Sequence, residues 1–228
     1  MDARNSSGHG AGENAFAGQQ HPRFARAYAR VIEGMNRRGG TEHRRSLLAN
    51  LHGTVIEIGA GEGSSFGLYP SGVTQLVAVE PDDYLRSLAL EKAASSSIPV
   101  SVIAGAAERI PAENFSVDAV VSSLVLCSVM DQSTALAEIR RVLRPGGTFA
   151  FYEHVRSNHL PLAMAENLLA PAWQVIAGGC HPNRDTLGAI TAAGFTIQDN
   201  RRFKFAVHRL APPVAHILGH ATGPRQPS

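Results

Sequence analysis

Residues 55–63, with the sequence VIEIGAGEG, constrain the fold of this chain most strongly. The first half of the segment is a run of β-forming residues, which predicts a buried strand. Glycine then recurs at every second position, at Gly59, Gly61 and Gly63. Glycine tolerates positive φ and lets a ligand approach the backbone. The pattern therefore predicts a tight ligand-binding turn at the carboxyl end of a parallel strand.

A glycine loop of this kind can serve more than one class of ligand. A dinucleotide site requires Gly-x-Gly-x-x-Gly or Ala, in which the third small residue packs the helix against the strand. Ser64 occupies that third position here, and the third glycine comes one residue early. Glu57, two residues before the first glycine, can instead accept hydrogen bonds from an amino group held above the turn. A dinucleotide enzyme is therefore the weaker of two alternatives.

Strand and helix patterns alternate through the middle of the chain. Apolar runs predict strands, and helical periodicity between them predicts helices that Asp82 and Asp131 cap. This alternation predicts an α/β fold, in which a doubly wound parallel sheet carries helices on both faces and the final strand is antiparallel. The strands predicted after the first are residues 75–79, 100–104, 115–121, 149–152, 195–205 and 215–222.

The ends of the chain and one internal segment depart from the alternation. Residues 1–21 are rich in Gly, Ser, Asn and Gln, which predicts a flexible tail, and residues 223–228 predict a second short tail. Residues 22–222 are expected to form one domain. Within it, residues 160–182 are apolar but irregular, and they predict a lid-like helical insertion after the fifth strand.

Two helices are predicted before the first strand. Apolar residues from Phe24 to Met35 recur at helical spacing. The pair Gly39-Gly40 is expected to end this helix, and Thr41 is expected to cap the second one.

Composition limits the cellular compartment and the binding partners that we expect for this chain. The formal net charge of +2 on 228 residues gives no reason to expect nucleic acid as a partner. No stretch reaches the roughly 18 apolar residues of a membrane span, and no secretion signal is recognised. Cys127 and Cys180 form no Cys-x-x-Cys pair, so they are interpreted as free thiols of a cytoplasmic protein. The sequence leaves the oligomeric state open.

Glu80 is the second candidate for ligand binding. It ends the second predicted strand, about 20 residues beyond the glycine loop, where a carboxylate can bind two ribose hydroxyls. A solvated charge at the end of a strand is the simpler alternative. The preceding glycine loop favours the ribose role.

The chain resembles class I S-adenosylmethionine-dependent methyltransferases. The E-x-G-x-G-x-G pattern of residues 57–63 is similar to the first motif of that family, whose loop wraps the methionine part of the cofactor. Residues 22–222 resemble the methyltransferase-like thiol methyltransferases and the related ubiquinone/menaquinone group. The most specific matches are SLVLCSV at residues 123–129, RRVLRPGG at residues 140–147 and EHV at residues 153–155.

The resemblance implies a Rossmann-like, doubly wound, seven-stranded sheet and S-adenosyl-L-methionine as the cofactor. The family carries an acidic residue at the position of Ala106, so the adenine amino group requires another acceptor here. The cofactor-binding residues that the resemblance implies are Glu57, Gly59, Ala60, Gly61, Gly63, Glu80, Pro81, Ala107, Glu108, Ser123 and Leu124.

Candidate acceptor-site residues are each weighed against a structural role. His154 ends the fifth strand and titrates near neutrality, so it is the candidate general base, or else a structural histidine. Tyr28 and Cys127 are candidates for the acceptor pocket, with packing in the core as the alternative. Trp173 is expected to form an apolar lid over this pocket, which favours an uncharged acceptor. Cys180 is followed by a histidine, but no matching ligand pair is recognised, and no metal is expected.

The function expected from the resemblance is methyl transfer to sulfur, nitrogen or oxygen of a small, fairly apolar acceptor. The alternatives are carbon methylation of a quinone or specialised metabolite, and a cofactor-binding sensor or partner subunit without catalysis. Residues 122–125 read Ser-Ser-Leu-Val where amino-methylating DNA enzymes carry Asn/Asp-Pro-Pro-Tyr/Phe, which disfavours a nucleic-acid substrate.

Overall fold

The computed structural model describes residues 16–206 and 212–223, so most of the first predicted tail and residues 224–228 lie outside the described residues. The strands are β1 (Gly53–Ile58), β2 (Val73–Val79), β3 (Val100–Ile103), β4 (Val117–Ser123), β5 (Leu143–His154), β6 (Thr196–Phe205) and β7 (Val214–Thr222). The helices are α1 (Pro22–Met35), α2 (Thr41–Leu48), α3 (Asp83–Ala93), α4 (Gln132–Val142), α5 (Leu160–Ile176) and α6 (Thr186–Ala192).

The seven strands form one sheet in the order β3-β2-β1-β4-β5-β7-β6. The first five strands are parallel, and β7 runs antiparallel to both β5 and β6. The predicted doubly wound seven-stranded sheet is therefore confirmed. The strand order reverses between β1 and β4, which is where ligands bind in open sheets of this kind.

The central strand β1 is buried on both faces. Val55 packs on one side of the sheet in a cluster with Leu47 from α2, whereas Ile56 packs on the other side with Ile139 from α4. A strand covered on both faces has an almost continuous apolar sequence, as residues 55–58 do. Burial of Glu57 in this strand is the exception, and it indicates a specific role at the site below.

Two predicted helix caps are confirmed. The Asp82 carboxylate accepts the backbone N–H groups of Tyr84 and Leu85, and the Asp131 carboxylate accepts those of Ser133 and Thr134. Both caps begin helices that follow strands of the parallel sheet, so they fix the direction in which the chain leaves the sheet edge.

The chain breaks between the first two helices at Gly39, as predicted, because this residue has a non-helical backbone conformation. The predicted cap is wrong, because Thr41 makes no side-chain cap and already has helical dihedral angles. Gly39 adopts a φ of 124°, which absorbs the change of direction. The Arg44 guanidinium donates to the Asn36 side-chain oxygen at 2.6 Å and so joins the two helices.

The predicted insertion of residues 160–182 is largely one helix. Helix α5 spans Leu160–Ile176 and carries Pro171 in its interior. Within the described residues, no helix has both the length and the apolarity required to cross a bilayer. The chain then turns through Gly178 and Gly179, which have φ values of 58° and 84°, and this turn delivers Cys180 to the sheet edge.

Candidate active site

A cavity opens at the carboxyl ends of β2, β1 and β4. Gly59 directly after β1, Glu80 directly after β2 and Ser123 at the end of β4 lie on its wall, and α1 covers it from above. These three strands are neighbours in the sheet at the position where the strand order reverses. The cavity therefore occupies the position that the topology favours for a ligand.

Glycine is needed at three positions of the loop after β1, for different physical reasons. Gly59, Gly61 and Gly63 all have positive φ, at 58°, 59° and 81°. A Cβ atom would lie 2.5 Å from Val125 at Gly59 and 2.6 Å from Phe66 at Gly63, so close packing requires both glycines. At Gly61 a Cβ would meet only Tyr28, at 3.5 Å, across the cavity wall. Gly61 is therefore the glycine that gives a ligand access to the backbone.

Glu80 ties this loop to the end of β2. One carboxylate oxygen accepts the Gly61 N–H at 2.8 Å, and the other accepts the Asp82 N–H at 2.9 Å. Burial raises the pKa of Glu80 to about 7, although the two backbone hydrogen bonds lower it. Since a carboxylate oxygen can accept two hydrogen bonds, each oxygen retains capacity for a donor in the cavity.

Glu57 lies behind the loop and does not line the cavity. Its carboxylate accepts the Tyr69 hydroxyl at 3.0 Å. Burial raises its pKa to about 7, while hydrogen bonds from Ser65 and Tyr69 lower it. In this arrangement Glu57 stabilises the segment that follows the glycines, and its predicted contact with an amino group stays a prediction.

The turn after β3 forms one wall of the cavity. The family resemblance predicts that the adenine lies against this turn. Ala106 and Ala107 are almost fully buried, and both line the cavity together with Glu108. The Glu108 carboxylate accepts the Met130 N–H at 2.9 Å. Ala106 offers no side-chain acceptor, as its residue type predicts.

The segment before α1 supplies an acceptor that the sequence did not predict. Ala17–Gln19 form a short 3-10 helix, and Gln20 and His21 of the predicted tail form hydrogen bonds with Pro81 and Asp82 just after β2. The Gln20 amide donates to the Pro81 carbonyl at 2.7 Å. Gln19 lines the cavity, and its buried side-chain oxygen has no hydrogen-bond partner among the described residues. A buried acceptor without a partner is costly, so it indicates a missing donor.

Helix α1 closes the cavity through two aromatic side chains. Phe24 and Tyr28 stack with ring centroids 5.8 Å apart, and both line the cavity. A Cβ at Gly178 would lie 2.7 Å from the Phe24 ring, so the helix packs directly on the backbone after α5. The structure thus places Tyr28 on the wall rather than in the interior of the core.

The wall after β4 is held by Glu153, which the sequence did not single out. Its carboxylate accepts the Ser122 hydroxyl at 2.5 Å and the backbone N–H groups of Leu126 and Cys127 at 3.1 and 3.2 Å. Leu124 on this wall has a φ of 62°, an uncommon value for leucine. The buried carboxylate therefore stabilises a strained turn at the cavity.

Three candidate chemical groups meet behind this wall. The His154 Nδ1 atom lies 3.1 Å from Cys180 Sγ and 3.9 Å from Cys127 Sγ. Both cysteines are buried and unpaired as disulfides. The His154 Nε2 atom is buried and has no partner among the described residues. No metal site was predicted because these three residues are far apart in the sequence. Sequence spacing could not show that the fold brings them together.

These groups alter one another's protonation. A hydrogen bond from Cys127 and a second one from His154 lower the pKa of the Cys180 thiol, although burial opposes this shift. Burial lowers the pKa of His154, but the hydrogen bond to Cys180 and the nearby charges of Cys180 and Glu153 together outweigh it, so the pKa is raised. The cluster favours an anionic sulfur beside a cationic ring.

Comparison with known proteins identifies the family. A family model described as a methyltransferase domain matches residues 56–151. Human thiol S-methyltransferase TMT1A is 30% identical over 196 residues, covering 78% of this chain and 77% of the human protein. This chain belongs to the class I S-adenosylmethionine-dependent methyltransferases. Mouse thiol S-methyltransferase TMT1B is 32% identical over 185 residues, covering 77% of this chain and 75% of the mouse protein.

A solved structure supports the fold of this methyltransferase. A methyltransferase from Thermotoga maritima, described as a possible histamine N-methyltransferase, superposes with a TM-score of 0.66 at 20% identity. The superposition covers 88% of this chain and 96% of that one. The cofactor of the methyltransferase described here by residues 16–206 and 212–223 is S-adenosyl-L-methionine.

The predicted residues of the methyltransferase divide into two groups. One group lies on the cavity wall, and the other does not line the cavity. The wall group comprises Tyr28, Gly59, Gly61, Glu80, Pro81, Ala107, Glu108, Ser123 and Leu124. The residues that do not line the cavity are Glu57, Ala60, Gly63, Cys127, His154 and Trp173.

Proposed function

We propose that this methyltransferase transfers the methyl group of S-adenosyl-L-methionine to the sulfur of a small, apolar thiol. The observation that carries the proposal is the 30% identity to human thiol S-methyltransferase TMT1A over more than three quarters of both chains. The relatives thus favour a heteroatom acceptor, and we extend this to sulfur. The fold supports methyl transfer but does not select the acceptor.

The cofactor is proposed to lie across the ends of β1, β2 and β4. Gly59 and Gly61 line the part of the cavity for its methionine, Gly61 gives access to the backbone, and Glu80 accepts the ribose hydroxyls with its remaining lone pairs. Ala107 packs against the adenine. The Gln19 side-chain oxygen supplies an acceptor on the segment before α1, which closes over the same cavity.

The acceptor is proposed to enter between α1 and the turn after β4. Phe24, Leu124, Val125 and Val129 give this part of the cavity an apolar wall. Apolar walls bind an uncharged acceptor and exclude water from the reacting atoms. Since the sulfonium already carries an activated methyl group, the protein contributes mainly by aligning the acceptor lone pair with that methyl.

The proposal is extended to the compartment and partners. Two neighbouring unpaired thiols are compatible with a reducing compartment, so we propose a cytoplasmic enzyme acting on a diffusible acceptor. The small formal net charge of +2 supports a small molecule rather than a nucleic acid as the substrate.

Three acceptors that differ only in the reacting atom test the proposal. Phenylmethanethiol, benzyl alcohol and benzylamine would each be incubated with the full chain and cofactor carrying a labelled methyl group. Labelled thioether is expected as the main product, because an unperturbed thiol of pKa about 8.5 supplies thiolate near neutral pH whereas the alcohol does not. A Glu80→Ala variant, which lacks the proposed ribose acceptor, controls for contaminating enzymes.

The remaining outcomes separate the alternatives. Transfer to the amine or the alcohol but not to the thiol would overturn the choice of sulfur. A demethylated quinone added as a fourth acceptor tests carbon methylation. Binding of the cofactor, measured by calorimetry, without transfer to a wider panel of thiols would favour the non-catalytic sensor.

A further inference from the structure

Cys127, His154 and Cys180 form a buried cluster although they are far apart in the sequence. Cys127 follows β4, His154 ends β5, and Cys180 follows the turn after α5. Their ligand atoms all lie within 4.8 Å of one another. We propose that these three residues bind a Zn²⁺ ion, whose fourth coordination position has no ligand among residues 16–206 and 212–223.

The separations are close to those of a coordinated ion. Zinc bonds of about 2.3 Å to sulfur and about 2.0–2.1 Å to nitrogen place tetrahedral ligands roughly 3.6 Å apart for S–N and roughly 3.8 Å apart for S–S. The two S–N distances here are 3.1 and 3.9 Å. Small side-chain adjustments would therefore bring all three atoms to bonding distance from one point.

The donor set favours zinc among common metals. Two thiolates and one imidazole are soft or borderline ligands, which suit zinc and disfavour magnesium or calcium. Cys127 and Cys180 are 1% and 4% exposed, so two thiolates at these positions would require a cation beside them. A bound cation would satisfy both sulfurs at once.

Backbone hydrogen bonds hold both cysteine ligands and join their two segments. The Cys127 N–H donates to the Glu153 carboxylate at 3.2 Å, and its carbonyl accepts the His181 N–H at 2.7 Å. The Cys180 N–H donates to the Ala177 carbonyl at 3.2 Å. Ligands fixed in this way form a site before the ion arrives, which favours binding.

The ring of His154 is also held in place. It packs against the His216 ring with centroids 4.4 Å apart. The Nδ1 atom of His154 faces both sulfurs, so Nδ1 would be the ligand atom and Nε2 would carry the proton.

The cluster lies directly behind the proposed acceptor pocket. The Ser128 hydroxyl lies 3.6 Å from Cys127 Sγ, and Ser128 and Gly178 both line the cavity. If the proposed function holds, displacement of the Ser128 side chain from the wall would let the acceptor sulfur reach the fourth position. The acceptor then loses its S–H proton to water, and its lone pair forms the new bond to the methyl carbon. The bond from that carbon to the sulfonium sulfur breaks, and its electron pair stays on S-adenosylhomocysteine.

Metal content of the full chain tests the site directly. The chain would be purified under reducing conditions, reconstituted with zinc, freed of unbound ion and analysed by mass spectrometry of the metal. About one zinc per chain is expected. Cys127→Ser, Cys180→Ser and His154→Gln should each lower zinc affinity at least about tenfold. His52→Gln, which removes an exposed histidine elsewhere, should leave zinc binding unchanged.

Cobalt substitution keeps the test decisive if a ligand variant fails to fold. The unaltered chain loaded with Co²⁺ should show sulfur-to-cobalt charge-transfer absorption and the intense visible bands of a tetrahedral site. Addition of phenylmethanethiol with S-adenosylhomocysteine should shift those bands.

A chain that takes up no zinc or cobalt, and whose two cysteines titrate as free thiols or as a disulfide, would overturn the proposal. Thiol methylation without metal would then leave the proposed function standing, whereas zinc binding without thiol methylation would reject only that function.

Discussion

The Glu80 carboxylate accepts the backbone N–H of Gly61 at 2.8 Å, and this contact joins the end of β2 to the glycine loop after β1. The same carboxylate is the proposed partner of the cofactor ribose. It therefore both shapes the loop and lies on the cavity wall. Because burial raises its pKa to about 7, its charge state changes within the physiological range.

Cofactor affinity should rise with pH through neutrality. The ionised form of Glu80 accepts ribose hydroxyls, and a group of pKa about 7 is mostly protonated at pH 6 and mostly ionised at pH 8. The dissociation constant measured by calorimetry should fall by up to about tenfold over this interval. Glu80→Gln should bind more weakly and lose this dependence. If the dissociation constant of Glu80→Gln changed with pH as steeply as that of the unaltered chain, the titration would be assigned to Glu57 instead.

Glu57 should reduce the stability of the cofactor-free protein at high pH. Its folded pKa of about 7 lies above the ordinary value of 4.5, so the folded state binds more protons between these values and stability falls as pH rises. Glu57→Gln removes the buried charge and should raise the free energy of unfolding by on the order of 2 kcal/mol at pH 8. At pH 5 the two proteins should unfold at similar denaturant concentrations. A stabilisation of equal size at both pH values would refute the charge argument.

Two alanine substitutions in the loop should differ in whether they mainly lower stability or cofactor affinity. Gly63→Ala should destabilise the protein strongly, because the new Cβ would lie 2.6 Å from the Phe66 ring in addition to the positive φ. Gly61→Ala encounters only an ordinary contact with Tyr28, so its cost to stability should be that of backbone strain, about 1–2 kcal/mol. Cofactor affinity should nevertheless fall in Gly61→Ala, because the methyl group occupies the access to the backbone. Thermal unfolding and calorimetry measure the two effects separately, and normal affinity in Gly61→Ala would argue against cofactor contact there.

Local patterns in the sequence were sufficient to predict the parallel sheet and the glycine loop. Alternation of β-formers, glycines and helix caps is encoded over a few residues, so Gly59 and Asp82 could be assigned without a structure. The strained φ of Leu124 was not predictable, because leucine carries no signal for it and the surrounding hydrogen bonds impose it. Strain of this kind is visible only in the fold.

Long-range proximity was also beyond the sequence. Cys127 and Cys180 looked unrelated because metal and disulfide motifs are recognised by short spacing. The turn after α5 places both cysteines beside the same histidine. The local sequence does not show where the chain lies after that turn. Gln19 was missed for a similar reason, since a polar, glycine-rich segment predicts flexibility rather than a place on a cavity wall.

The Asp82 cap should couple helix stability to the closure of the cavity. Besides the N–H groups of α3, its carboxylate accepts the His21 backbone N–H at 3.2 Å. Asp82→Ala should cost about 1 kcal/mol through loss of the cap and should also release the segment before α1. Asp82→Asn keeps an acceptor oxygen, so it should retain most of the stability. Proteolysis near residue 21, compared with and without cofactor, reports the release. Equal protection of Asp82→Ala and the unaltered chain would contradict the coupling.

Substitution of two adjacent glutamines should separate a ligand contact from a structural contact. The Gln19 oxygen is buried without a partner among the described residues, so Gln19→Ala should leave the cofactor-free protein as stable as before, or slightly more stable. The same variant should bind cofactor several-fold more weakly, because a cavity acceptor is lost.

Gln20→Ala is the matched control, and its expected effects are reversed. The Gln20 side chain donates to the Pro81 carbonyl at 2.7 Å and accepts the Asp83 N–H at 3.2 Å, so its loss should lower stability by about 1 kcal/mol. Unfolding and calorimetric titration of both variants give the comparison. If Gln19→Ala lost stability and kept full cofactor affinity, the Gln19 oxygen would have a structural role, and the acceptor for the cofactor would have to lie elsewhere on the wall.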